Sequence, residues 1–329
     1  MSPLDPALFP VHAAVAFIVG SMFGSFFNVV IWRAPRRFSI VLPGSHCTRC
    51  GTPLRWHDNI PLLSQVLLDR RCRICGSEIS LRYGAVELLT ALLFLAVFWR
   101  FGFTGATPLY LVFVSLCLIA TFTDIDHWII PDGVSLGGLA AGLAAAATGP
   151  LLGAGHLPAR QTPFDGTLWW HGLAGAALGA AIGWSVLKGV AVLGRLLFRK
   201  EAMGGGDITL MAMFGAYLGW QGVLATLILA CLLGALFGGT LLLFDKLRER
   251  RRGGPLGDPP RELPADLDPA HPEGFRRAVA HLDLHRKERS VSTHIPFGPY
   301  LCVAAVAVLF LFEPIVALFE MLYIRPILG

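Results

Sequence analysis

Apolar residues fall in long unbroken blocks along this chain, and polar residues collect between the blocks. About 20 consecutive apolar residues are what a helix needs to cross the hydrocarbon core of a bilayer. On that criterion, spans are predicted at residues 11–32, 84–102, 107–124, 133–150, 171–198, about 203–220, 222–244 and 296–320. The expected fold class is an all-α polytopic membrane protein with about eight transmembrane helices and a cytoplasmic loop resembling a zinc ribbon. Composition agrees. Of 329 residues, 54% are hydrophobic and only 15% charged, with mean hydropathy +0.62, where a soluble domain carries about 25% charge. Residues 1–12 hold no basic stretch leading to a short apolar core and an Ala-x-Ala site, so the first block is expected to be retained as a span.

Charge orients the spans. Of 27 Lys and Arg, nine lie in 33–82, four in 188–200 and eleven in 246–289. With eight spans, all three basic loops fall on one side. The positive-inside rule makes that side cytoplasmic and puts both termini outside. Trp169 and Trp170 then end an external loop (149–170), suiting a headgroup belt. The sixth span is the weakest, because Ile208–Trp220 gives only about 20 Å of helix at 1.5 Å per residue. Dropping it would send the eleven-charge loop outside.

Two carboxylates sit where hydropathy least favours them. Asp124 closes one apolar run, in Thr-Asp-Ile-Asp-His-Trp-Ile-Ile-Pro-Asp; Asp207 opens another, after Gly204-Gly-Gly. An ionisable side chain at membrane depth is a functional candidate by default. Two at the cytoplasmic ends of their spans, at similar depth, suit a shared site in which one acid is ionised while the other keeps its proton. Glycines 204–206 suit either close helix packing or an unwound entry that a substrate backbone could approach; the adjoining carboxylate favours the second. No Lys-Ser/Thr follows them, which argues against a phosphate loop.

Between the first two spans, Cys47/Cys50 and Cys72/Cys75 form Cys-x2-Cys-x21-Cys-x2-Cys, each pair followed by Gly (Gly51, Gly76). The spacing is near that of a zinc ribbon, and a cytoplasmic loop disfavours disulfides. Tetrahedral structural zinc is the leading reading; redox dithiols and free thiols are the alternatives. Cys117, Cys231 and Cys302 are expected to be small core or lipid-facing residues. Asn28 is expected to bond between helices and Arg33 to be a basic anchor. Glu87 is expected to snorkel or pair with arginine, and His127 to be interfacial. Asp126, about 200° around the helix from Asp124, should face elsewhere.

With those residues in place, the chain resembles the type IV prepilin peptidases, bifunctional leader peptidases and N-methyltransferases, nearly end to end. The resemblance is carried by Gly24-Ser-Phe-Phe-Asn-Val-Val-Ile-Trp-Arg, the two cysteine pairs with Asn59-Ile-Pro-Leu-Leu-Ser between them, and Arg82-Tyr-Gly-Ala-Val-Glu87. Asp124 with Ile130-Pro-Asp132, Gly204-Gly-Gly-Asp207 and Pro296-Phe-Gly-Pro complete it. Two positions depart from the pattern: Gly84 stands where the family usually has Pro, and Thr209 where it commonly has Lys. The Arg-, Pro- and Asp-rich stretch 248–289 has no counterpart and reads as a solvated linker. The expected organisation is a first transmembrane helix (1–32), a cytoplasmic four-cysteine zinc domain (33–83), and a transmembrane aspartyl peptidase domain (84–329) with a cytoplasmic insert at 245–294.

The resemblance implies cleavage of type IV prepilins and pseudopilins on the cytoplasmic side by Asp124 and Asp207. Methylation of the new N-terminal residue by S-adenosylmethionine would follow. Asp124 is preferred to Asp126 because it aligns with the family position and lies deeper. The expected partners are these precursors and membrane lipids, with no nucleic acid. Two alternatives stand at this stage: a peptidase without methyltransferase activity, and a proton- or cation-coupled transporter built on the same intramembrane carboxylates. A zinc-bearing scaffold would leave the two immersed aspartates without a role.

Overall fold

The structure, a computed structural model, describes residues 8–36, 38–42, 44–47, 49–148, 169–199, 203–252 and 296–319. Among the described residues the regular structure is helical, apart from two isolated β-bridges. In chain order the α-helices are α1 (Phe9–Arg33), α2 (Leu63–Leu67), α3 (Leu81–Phe101), α4 (Ala106–His127), α5 (Asp132–Thr148), α6 (Trp169–Phe198), α7 (Gly205–Arg252) and α8 (Gly298–Phe319). Five helical stretches are long and apolar enough to cross a membrane: Phe9–Arg36, Leu81–Phe101, Ala106–His127, Trp170–Leu197 and Gly205–Thr240. The eight predicted spans fall on α1 and on α3 through α8. The sixth and seventh lie within α7 on either side of Gly219, whose backbone (φ 74, ψ −179) leaves helical geometry. A positive φ of that kind is open to glycine at little cost. The external loop before Trp169 and the part of the 245–294 insert beyond Arg252 lie outside the described residues.

Contacts divide the chain into two units, 1–230 with 297–329, and 231–296. In the first, α1 and α3 pack antiparallel along most of their length. Gly20 faces Ala91 and Phe94, and Gly24 faces Glu87 and Thr90. A methyl group at Gly24 would lie 2.7 Å from the Glu87 Cα, so the approach depends on glycine. Asn28 Nδ2 donates to the Tyr83 carbonyl at 3.1 Å, bonding the two helices as expected. The α4–α7 contact is aromatic, with Phe113 edge-on to Phe214 and 4.9 Å from Tyr217. The Thr90 and Thr123 hydroxyls bond back to the Val86 and Ile119 carbonyls one turn earlier, which satisfies them without water.

Cys117 and Cys302 are buried and Cys231 is exposed, as a core-or-lipid reading expects. Two expectations are corrected. Arg33 is 6% exposed, and its guanidinium donates to the Ser39 and Gly44 carbonyls; it organises the loop after α1 instead of merely anchoring the helix. Glu87 is buried, and among the described residues it pairs with no arginine. It accepts the Leu62 amide at 2.8 Å and the Gln65 side chain at 3.0 Å, fastening the 60–68 segment onto α3.

Candidate functional site

Helix ends build the site. The last turn of α4 carries Asp124. The helix stops where Trp128 turns left-handed (φ 58, ψ 28), its amide bonding the Asp124 carbonyl at 2.9 Å. The chain then runs through Ile130 and Pro131 into α5. Proline ahead of the first turn pre-sets the backbone, and Asp132 complements the positive end of the helix. Asp207 sits in the first turn of α7, just after the three glycines. Gly298-Pro299 begins α8.

These ends converge. Gly298 lies against the Asp124 carboxylate, and Asp124 and Asp207 are near enough for their charges to interact. Ile130, 8% exposed, packs against Gly206 and Gly298. A methyl group on Gly206 would meet Ile130 Cβ at 3.1 Å. One on Gly298 would meet Ile130 Cδ1 at 3.2 Å and Asp124 Oδ2 at 2.5 Å. Two carboxylates from separate helices, Asp124 buried and Asp207 half-buried, thus meet at a spot kept open by glycine. Among the described residues neither is in an ion pair with Lys, Arg or His. Carboxylates so placed can divide the work of general acid and general base. Thr209 donates to Ser135 Oγ at 3.1 Å, tying the start of α7 to α5. The position therefore contributes a helix tie where the family commonly has a cation.

Asp126 points away, as its helical angle requires. It forms an ion pair with Arg82 at the start of α3, and that guanidinium lies over the Phe122 ring. His127 Nε2 lies 3.3 Å from Arg36 Nη1, and Arg36 stacks on Trp32 at 4.6 Å. These charged and aromatic side chains gather where α1 and α4 end and α3 begins, the place an interfacial His127 was expected to occupy. The roles of Gly298 and Ile130 escaped sequence reasoning. Their signal was present in the Pro296-Phe-Gly-Pro and Ile130-Pro-Asp132 motifs, but nothing in either stretch says which carboxylate it touches.

The four loop cysteines form a second cluster. Their Sγ atoms all lie within 4.8 Å of one another, and Cys47 and Cys75 are 3.8 Å apart. Zinc–sulfur bonds of about 2.3 Å at tetrahedral angles place sulfurs roughly 3.8 Å apart. Each pair sits on the same kind of turn. The Gly51 amide bonds the Cys47 carbonyl at 2.8 Å and the Gly76 amide bonds the Cys72 carbonyl at 2.9 Å. Both glycines hold positive φ (73 and 66), and the bridges His46–Pro53 and Arg71–Glu78 close the two turns identically. Burial opposes a charged Cys47, but the Cys50 and Arg49 amides and the Ser77 hydroxyl outweigh it and bring its thiol down to about 6. Four sulfurs so placed on paired turns fit a tetrahedral metal ion. Four sulfur ligands would leave it no open position for chemistry.

Comparison with known proteins extends over nearly the whole chain. Residues 18–101 match the family described as the bacterial peptidase A24 N-terminal domain, and residues 111–239 match the type IV leader peptidase family. The prepilin leader peptidase/N-methyltransferase of Myxococcus xanthus (strain DK1622) is 38% identical, over 92% of this chain and 91% of its own. Proteins of the same description from Pseudomonas putida (34% identical, 73% of this chain, 83% of theirs) and Klebsiella pneumoniae (39%, 65% and 88%) are similar too. No solved structure matches.

Proposed function

The chain belongs to the type IV leader peptidase family, and from that premise we propose which of its residues carry the reactions. It is a multi-pass inner-membrane enzyme that removes the leader peptide of prepilins and N-methylates the product. A transporter reading is not favoured. We assign the cleavage to Asp124 and Asp207. The observation that carries this is their meeting, from the end of α4 and the start of α7, around Ile130 and Gly298. The ionised aspartate takes a proton from a water molecule, which attacks the scissile carbonyl. The protonated one donates to the carbonyl oxygen, and collapse of the tetrahedral species returns a proton to the leaving amine. With basic loops on the cytoplasmic side and both termini periplasmic, the dyad lies just inside the cytoplasmic leaflet. There the junction between a basic leader and an apolar substrate helix would rest.

The new amine then attacks the methyl group of S-adenosylmethionine, releasing a proton and the thioether product. Zinc held by Cys47, Cys50, Cys72 and Cys75 would stiffen the loop. Pseudopilins are substrates on the same chemistry.

The test uses purified full-length protein with a prepilin in detergent. Asp124→Asn and Asp207→Asn should each abolish cleavage while the protein inserts normally and still methylates a pre-cleaved substrate. Substantial cleavage by either variant would sink the dyad.

A further inference from the structure

We propose that residues 56–68 of the cysteine loop re-enter the bilayer and rest in its acyl chains, so that only the cysteine turns on either side stand in the cytoplasm. This is independent of the catalytic assignment.

The first observation is a groove of about 740 Å³. One wall is α1, including Ile18 and Met22; the other is the loop, including Trp56, Leu63 and Val66. Ile18 lies about 22 Å along α1 from Arg33, and Met22 about 16 Å, at 1.5 Å per residue. Half the hydrocarbon thickness is about 15 Å. The groove therefore lies deep within a helix that spans the membrane, and the loop residues lining it share that depth. The bonds from Glu87, six residues into α3 and opposite Gly24 on α1, hold the loop there.

The second observation is the side chains. Trp56 is 81% exposed, Val66 79%, Leu67 71% and Leu63 49%. They continue the exposed apolar face of α1, where Ile18 and Met22 are 56% and 59% exposed. Apolar side chains that continue a lipid-facing helix surface are covered by what covers that surface. Arg55 precedes the segment and Arg70, Arg71 and Arg73 follow it, which suits anionic headgroups at the point where the chain leaves the membrane.

The third is the backbone. Irregular chain survives at membrane depth only when its polar groups are satisfied internally. The Leu62 amide bonds Glu87. The amides of Leu63, Ser64, Val66, Leu68, Asp69, Arg70 and Arg71 bond carbonyls between Ile60 and Leu68. Pro61 has no amide hydrogen. From Leu62 to Arg71 most amides are thus satisfied within the protein, and the polar side chains at the start of the segment reach the cysteine turns, Asp58 accepting from Arg73 at 2.6 Å and Asn59 Nδ2 donating to Ser45 Oγ at 3.5 Å.

The full-length protein would be placed in nanodiscs of phosphatidylethanolamine and phosphatidylglycerol doped with a phospholipid carrying a diazirine midway along one acyl chain. It is then irradiated, digested and mapped by mass spectrometry. Adducts are expected on 56–68 and on the exposed face of α1, which serves as the internal standard, and not on the cysteine turns. Amide exchange at 62–71 should be slow. Labelled α1 beside an unlabelled 56–68 would overturn the proposal. So would protein–protein adducts there in place of lipid ones, or loss of the lipid adducts when an excess prepilin helix takes the groove. In Val66→Asp/Leu67→Asp the lipid adducts on 56–68 should be lost while bound metal is retained. If that variant fails to fold, the wild-type map decides alone.

Discussion

Replacing Gly298 by alanine tests whether α8 positions Asp124, one of the two aspartates proposed to cleave the substrate. The new methyl carbon would lie 2.5 Å from Asp124 Oδ2 and 3.2 Å from both Asp124 Cγ and Ile130 Cδ1. Ordinary carbon–oxygen contact begins near roughly 3.3 Å, so the carboxylate or α8 must move by roughly 0.8 Å. Misplacing a reacting group by about 1 Å costs on the order of 10²-fold in rate, equivalent to about 2.7 kcal/mol in the barrier. Gly298 touches the aspartate and is not argued to hold the substrate. The loss is therefore expected in kcat for prepilin cleavage, with KM little changed. Added bulk costs ~1–3 kcal/mol of stability, so melting in detergent is followed alongside the kinetics. Methylation of a pre-cleaved substrate supplies an internal control and should be unaffected. A Gly298→Ala enzyme that folds and cleaves within about three-fold of wild type, under ~0.7 kcal/mol, would refute the positioning role. An equal loss of both activities would point to general distortion.

Other consequences follow from packing and bonding elsewhere. Glu87→Ala strips the Leu62 amide and the Gln65 side chain of their acceptor; it should cost ~1–3 kcal/mol and speed amide exchange across 60–68. Gly24→Leu, forced against the Glu87 backbone, should separate α1 from α3 and lower the melting temperature, with a stability loss of at least ~1–3 kcal/mol. Cys47→Ser or Cys72→Ser should abolish stoichiometric zinc, read by elemental analysis, and loosen both cysteine turns. A strong chelator should do the same to the wild-type protein while leaving the transmembrane helices folded.

Much of this protein could be read from its pattern. The eight apolar blocks became helices because a backbone in lipid must bond to itself, which leaves a long apolar segment little else to form. Within α7, Gly219 leaves helical geometry between the sixth and seventh predicted blocks. The cysteine cluster was legible because ligand spacing and the paired glycines repeat within the sequence. Asp124 and Asp207 stood out because charge in an apolar run is costly wherever the run goes. Glu87 and Arg33 were misjudged for the opposite reason. Near an interface many partners are within reach, and only the path of the loop decides that Glu87 caps the Leu62 turn and Arg33 the Ser39 and Gly44 carbonyls.

The sequence by itself determined the class of protein, the identity of its helices, the paired cysteine turns and the two acids worth watching, since each depends on local composition or short spacing. The tertiary structure alone decided that Gly298 packs against the Asp124 carboxylate, that Ile130 lies against Gly206 and Gly298, that Asp126 is tied to Arg82, and that 56–68 lies along α1. Those outcomes depend on which helix ends meet in space, and a linear pattern of apolar blocks is compatible with many such meetings.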